Sequence, residues 1–182
     1  MTATEVFESV TGSGSSDFAR LVRILNQHGP WCLIGGLAVN CYVEPVYTLD
    51  ADIVIASREL ELIQPELNAA GFAVQEFPHS LNATMPGSEL RIQFSLDPRY
   101  QEFLTPTELR EVLGEQVPVA SLPNIVRGRV WAWSDQERPP TKRKKDELDL
   151  MRILEAYPEL REMMPREVGE QVPGARTTTE RK

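Results

Sequence analysis

One stretch constrains this chain more than any other. The apolar run Trp31-Cys32-Leu33-Ile34 ends in Gly35-Gly36, and Asp50-Ala51-Asp52 follows after a short gap. The apolar run reads as a buried strand. The glycines break it, and Leu37 to Tyr42 reads as a helix. From Asp50 to Ala56 the pattern alternates, with Ala51, Ile53 and Ile55 on one face and Asp50, Asp52 and Val54 on the other. Glycine at a strand end lets backbone N–H groups approach a ligand, and a helix that starts there favours phosphate. Two carboxylates at i and i+2 of a strand share a face and repel, so a cation between them relieves the site. Hard oxygen donors suit Mg²⁺ or Mn²⁺, which also recruit phosphates. The competing reading is a plain turn followed by a solvated strand face.

The rest of the chain continues the alternation of elements. Ser16 is expected to cap a helix with apolar positions Phe18, Leu21, Val22 and Leu25, stopped by His28-Gly29-Pro30. Glu59 to Ala70 reads as a helix ended by Gly71, and Phe72 to Phe77 as a strand. Pro86-Gly87 reads as a turn before a strand from Glu89 to Leu96. A helix is expected near Thr107 to Leu113, stopped by Gly114, then a short strand from Val117 to Ala120. Helices over Ser121 to Trp133 and Thr141 to Tyr157 close the order. The fold class is α/β (α+β), a mixed β-sheet flanked by helices with further helices at the C-terminal side. Residues 1–15 are expected to be loose, 16–164 to form one domain, and 165–182 to fray.

Composition narrows the function classes. A formal net charge of −8 argues against a surface built as a whole to coat nucleic acid, though a local basic patch stands near residue 142. No run approaches the ~20 apolar residues that span a bilayer. Nothing resembles a signal peptide, so a cytoplasmic protein with no membrane partner is expected. Cys32 and Cys41 lack metal or redox spacing and read as small reduced thiols. His28 and His79 read as structural.

Two charged clusters remain. Leu150, Ile153, Leu154 and Tyr157 form a buried stripe that Asp146 and Lys142 extend backwards at i−4 steps. Charges on a core-facing line are costly unless paired or used. Either Lys142 and Asp146 pair with each other at an overhanging helix start, or Asp146 and a neighbouring lysine face an anionic ligand. The run Lys142-Arg143-Lys144-Lys145, with Arg138 nearby, reads either as a solvated helix start or, because it opposes the helix dipole, as the mark of an anionic partner. Trp133 reads as a core residue.

The strand, Gly-Gly, helix and Thr48-x-Asp50-x-Asp52 order resembles the nucleotidyltransferase superfamily, and more narrowly its AbiEii-type toxin and minimal nucleotidyltransferase branch. The similarity runs through Asp97-Pro98-Arg99-Tyr100-Gln101 and Val117-Pro118-Val119-Ala120 to Lys142-x-x-Lys145-Asp146-x-x-Asp149-Leu150. It implies that Gly35, Gly36, Thr48, Arg129, Lys142 and Lys145 bind a nucleoside triphosphate. Asp50, Asp52 and Asp146 would be catalytic, with Asp50 and Asp52 holding the metal and Gln93 a candidate third ligand. The implied reaction moves an NMP from an NTP to a hydroxyl of RNA (tRNA), protein or a small molecule, within a toxin–antitoxin pair in one reading.

The sequence also departs from that pattern. Gln93 stands where a third carboxylate is common, and Glu89 or Asp97 would have to compensate. Arg127 and Arg129 stand where a lysine is usual. The alternative is a catalytically degenerate nucleotide- or partner-binding module of the same fold.

Overall fold

The computed structural model describes residues 12–172 and 174. The loose segment expected for residues 1–15 therefore lies outside it up to residue 11. Helix α1, Gly14–Leu25, begins before the expected Ser16 cap, with Ser13 at the N-cap. Ser13 Oγ donates to Asp17 Oδ2 at 2.7 Å. Phe18, Leu21 and Leu25 are fully buried along its inner stripe.

Strand β1, Trp31–Ile34, is buried at all four positions. It leads directly into α2, Gly35–Val39. This helix takes in the two glycines and ends before the expected Tyr42. Strand β2, Asp50–Ile55, follows. Ala51, Ile53 and Ile55 are buried as the alternation requires, and Val54 is buried too. Past the aspartates the strand is thus covered on both faces, which explains its continuous apolar run. A 3₁₀ turn, Ser57–Glu59, leads to α3, Leu60–Ala69. Gly71, at φ +98°, stops it in the left-handed conformation glycine tolerates.

Three further strands complete one side of the sheet: β3, Ala73–Phe77, β4, Ser80–Thr84, and β5, Arg91–Ser95. Strand β4 was not expected. It is five residues long and mostly polar, and it owes its conformation to antiparallel partners on both sides. After a 3₁₀ segment, Pro98–Leu104, come β6, Thr107–Val112, and β7, Glu115–Ala120.

The helix expected near Thr107 to Leu113 is therefore corrected to a strand. Leu109, Val112 and Leu113 have helical spacing, but Leu109 is 72% exposed while Val112 is buried, so the three do not form one buried stripe. Gly114 is not a helix stop. With Leu113 (φ 51°) it forms the positive-φ pair of a tight hairpin. All six residues of β6 pair with β7.

The sheet runs β3-β4-β5-β2-β1-β7-β6. Strands β1 and β2 are antiparallel, whereas β2–β5 and β1–β7 are parallel. Helices α4, Leu122–Ser134, and α5, Pro140–Ala156, pack on each other and on α2. Beyond the expected boundary at Pro165, Arg166–Gly169 forms a short helix, α6. Val168 and Val172 are buried there, so fraying does not begin at residue 165. Among the described residues no helix is long and apolar enough to cross a membrane.

Candidate functional site

The parallel pairing of β2 with β5 decides what stands beside the two aspartates. Asp50 lies opposite Arg91, and Asp52 lies opposite Gln93. The Gly-Gly turn meets the same spot from β1. Gly35 has φ +73°, and a Cβ placed there would lie 1.9 Å from Asp52 Oδ2. Only glycine lets the turn and the carboxylate come this close. A Cβ on Gly36 would lie 3.4 Å from Thr48 Oγ1 and 3.6 Å from an Arg129 guanidinium nitrogen. Thr48 Oγ1 accepts the Asp50 backbone N–H at 3.3 Å and so fixes the entry to β2. Helix α2, five residues long, is too short to supply much of the macrodipole anticipated for phosphate. Its contribution is close backbone approach.

These residues line a cavity of about 570 Å³. Its other wall comes from α4 and α5. Gly128 brings α4 against aromatic rings, since a Cβ there would come within 3.0 Å of Tyr100 and 3.1 Å of Phe103. That close packing carries the adjacent Arg129 into the cavity. Arg129 holds Asp146 at 2.9 Å with one terminal nitrogen and Asp149 at 2.9 Å with the other. Its Nε is buried and finds no acceptor among the described residues. Arg138 holds the second oxygen of Asp146 at 2.6 Å. Asp146 is 1% exposed and fully neutralised by these two partners. The expected alternative, a Lys142–Asp146 pair, is not formed.

The basic run divides at its helical spacing. Lys142 and Lys145 line the cavity, exposed and without an ion pair among the described residues. Lys144 pairs with Glu147, and Arg143 bonds to the Trp133 carbonyl. Trp133 is half-buried, donates to Glu147, and stays out of the cavity lining.

The cavity thus brings together Gly35, Gly36, Thr48, Asp50, Asp52, Gln93, Arg129, Lys142, Lys145 and Asp146. Glu89 and Asp97 do not line it, so neither replaces Gln93 as a third acid. Asp97 is instead clamped by Arg99 at 2.6 Å. Arg127 also points elsewhere, to Glu102 and over the Phe103 and Trp131 rings.

Three residues of the site lie outside the expected set: Arg91, Arg138 and Asp149. Asp149 was legible, one helical step beyond Asp146 on the same stripe. Arg138 and Arg91 reach their carboxylates through tertiary and sheet geometry that leaves no local trace. The cysteines are not part of the site. Burial pushes Cys32 up to about 12 and Cys41 up to about 11, so both stay protonated thiols. Burial likewise pushes the Tyr100 phenol to about 12, which leaves it neutral in the cavity wall.

Burial pushes the Asp52 carboxyl up to about 6, against the pull of Arg129 and with a further push from Asp50. The sign of its effect on stability follows. A carboxyl raised in the folded state contributes stability that is full below about pH 4 and is lost as pH rises through about 6. Asparagine keeps the volume and removes the half-buried charge. Asp52→Asn is therefore expected to raise stability near pH 7.5 by about 1–2 kcal/mol, with little change near pH 4. Urea unfolding at both pH values, with a chelator present, checks this. An unchanged or lower midpoint at pH 7.5 contradicts the assignment.

The donor set fits a divalent cation in one respect and limits it in another. The Asp50 and Asp52 carboxylates and the Gln93 amide are hard oxygen donors on adjacent strands. Among the described residues, no three carboxylate, histidine or cysteine side chains converge on one point. A metal here would need oxygens from a ligand to complete its shell, the usual arrangement for Mg²⁺ on phosphates.

No family model matches the chain, and no curated protein matches its sequence. Solved structures do match. The complex of ANT(2″)-Ia with adenylyl-2″-tobramycin superposes with a TM-score of 0.54 at 14% identity, covering 87% of this chain and 93% of that one. The solution structure of the antibiotic-resistance factor ANT(2″)-Ia gives 0.53 at 15% identity, over 87% and 90%. The lincomycin-bound lincosamide antibiotic adenylyltransferase LnuA gives 0.51 at 13% identity, over 73% and 92%.

Proposed function

Starting from this nucleotidyltransferase fold, we propose that the chain binds a nucleoside triphosphate with Mg²⁺ or Mn²⁺ in its cavity and transfers the NMP to an acceptor hydroxyl. The observation that supports it best is the seating of Asp52 against Gly35, at a distance no other residue permits, across from Arg129, Lys142 and Lys145. A carboxylate pair beside a glycine turn and a cluster of cations is what a metal-bound triphosphate requires from its site.

Asp50 and Asp52 would hold the metal, with the Gln93 amide oxygen available as a neutral third donor. When bound, it would supply charge neutralisation and Lewis-acid polarisation at the phosphates. The remaining work belongs to the chain. The Gly35-Gly36 backbone admits the triphosphate closely. Lys142 and Lys145 bring mobile positive charge to it, and Arg129 brings fixed positive charge. Asp146 acts through Arg129 and Arg138, as a positioning residue.

In the transfer, an acceptor oxygen bonds to the α-phosphorus, the bond to the bridging oxygen breaks, and pyrophosphate leaves with that electron pair. The acceptor proton needs a base. The Gln93 amide has none to offer, and Asp146 and Asp149 are committed to buried ion pairs. Asp50 and Asp52 would take it only through the oxygen that each does not give to the metal, and solvent water is the other acceptor at hand.

A small-molecule acceptor with some apolar surface is favoured by Val46, Tyr47 and Leu148, three exposed apolar side chains that line the cavity. A tRNA or protein acceptor, as in a toxin–antitoxin pair, is the second reading, favoured by Lys142 and Lys145 exposed on the cavity wall. The test is a screen of α-labelled NTPs with Mg²⁺ against small-molecule alcohols, total tRNA and lysate. Pyrophosphate release and label transfer are expected, with a loss of at least about 100-fold in Asp52→Asn. Mg-ATP binding by calorimetry without any turnover would make the chain a degenerate binding module instead. No binding at all rejects the reading.

A further inference from the structure

Asp50 is already held by a cation. Arg91 Nε lies 2.7 Å from Asp50 Oδ1, and both residues line the cavity. The contact is built into the sheet, because the parallel register sets Arg91 directly beside Asp50. It differs in kind from the other guanidinium contacts of the cavity. Arg129 and Arg138 are locked on a carboxylate that is 1% exposed. Arg91 and Asp50 have side chains 60% and 47% exposed. An ion pair that wet is weak and exchanges readily.

We propose that Arg91 is the counter-ion of Asp50 whenever no metal is bound: a divalent cation displaces it from Asp50, and the freed guanidinium then takes a phosphate oxygen of the triphosphate. This rests on the metal–triphosphate reading above and goes beyond it by coupling the two ligands. Without a metal, Arg91 keeps Asp50 neutralised and relieves its repulsion with Asp52. With a metal alone, the guanidinium loses its partner, which opposes metal binding. With metal and triphosphate together, it regains an anionic partner. Arginine suits the exchange because its planar fork binds carboxylate and phosphate oxygens alike. The two ligands therefore favour each other's binding, and the coupling is reciprocal.

Mn²⁺ titration followed by electron paramagnetic resonance tests this without any turnover. Wild type, Arg91→Ala and Arg91→Gln are compared, each with and without ATP. Both variants are expected to bind Mn²⁺ alone about two- to fivefold more tightly than wild type, the scale of an exposed ion pair. In both, ATP should tighten Mn²⁺ binding less than it does in wild type. A general loss of structure could not produce tighter metal binding, and the glutamine variant guards against a cavity effect of alanine. Equal or weaker Mn²⁺ binding in the variants overturns the proposal, as does an ATP enhancement at least as large as that of wild type. If wild type itself binds no Mn²⁺ with or without ATP, the metal–triphosphate reading falls, which is a separate result.

Discussion

Gly35→Ala is expected to abolish the proposed nucleotidyl transfer and to lower stability by about 2–5 kcal/mol. Two independent effects combine. Alanine at φ +73° enters the left-handed region at a cost of about 1–2 kcal/mol. Its methyl would also stand 1.9 Å from Asp52 Oδ2 and 2.6 Å from Asp52 Cγ, so the turn or the carboxylate must move, at a further ~1–3 kcal/mol. Either movement separates the backbone from the proposed metal-binding side chain. Gly36→Ala is the matched control, because its nearest contact is an ordinary 3.4 Å from Thr48 Oγ1. It should melt within a few degrees of wild type. Thermal melts and Mg-ATP calorimetry on both variants decide the matter. A Gly35→Ala protein that melts and binds like wild type would mean that the turn does not press on Asp52.

The second large effect is expected at Arg129. One guanidinium neutralises two buried aspartates at 2.9 Å each. Arg129→Ala leaves buried carboxylates short of a partner, a loss of about 3–5 kcal/mol. For a domain of this size that corresponds to a melting point lower by roughly 6–20 °C. Arg129→Lys should recover only part, because an ammonium does not span two carboxylates as a guanidinium does.

The pH dependence adds a signature. Burial already holds the Asp149 carboxyl above its ordinary value, opposed by Arg129 and Arg152. Without Arg129 it moves further up, so the alanine variant should regain stability as pH falls from neutral toward 5. Melts across that range give the answer. A flat or opposite trend would show that the aspartates find other partners.

Much of this site was legible because its chemistry is local in sequence. Gly35-Gly36 and Asp50-x-Asp52 each act within a single turn or strand, and their strand context could be read from adjacent apolar runs. The involvement of Asp146 was legible too, from its place on the buried stripe of α5. Its partners were not. Arg129 and Arg138 arrive from 17 and 8 residues away, the first through the packing of α4 on α5 and the second from the segment that joins them. The misreading of β6 has a similar origin. Leu109 and Val112 mimic a helical stripe, yet the strand is held by backbone pairing with β7, which does not depend on side-chain period. Strand β4 escaped notice because its two flanking partners, and not its own residues, make it a strand. Gln93, the candidate third donor, stands beside Asp52 through the pairing of β5 with β2, and the absence of Glu89 and Asp97 from the cavity needed the same register.

Arg138, Asp146, Arg129, Asp149 and Arg152 form one alternating chain of charge along the inner side of α5. Arg152 extends it to the Asn40 side chain and the Glu44 carbonyl, beyond the cavity. Each internal member satisfies two neighbours, so no position can change sign or neutrality alone without stranding another. The five positions are therefore expected to vary as a unit among related chains. Related sequences should keep the alternation whole or replace it in concert, and an isolated substitution within it would mark a lineage that has given up the site.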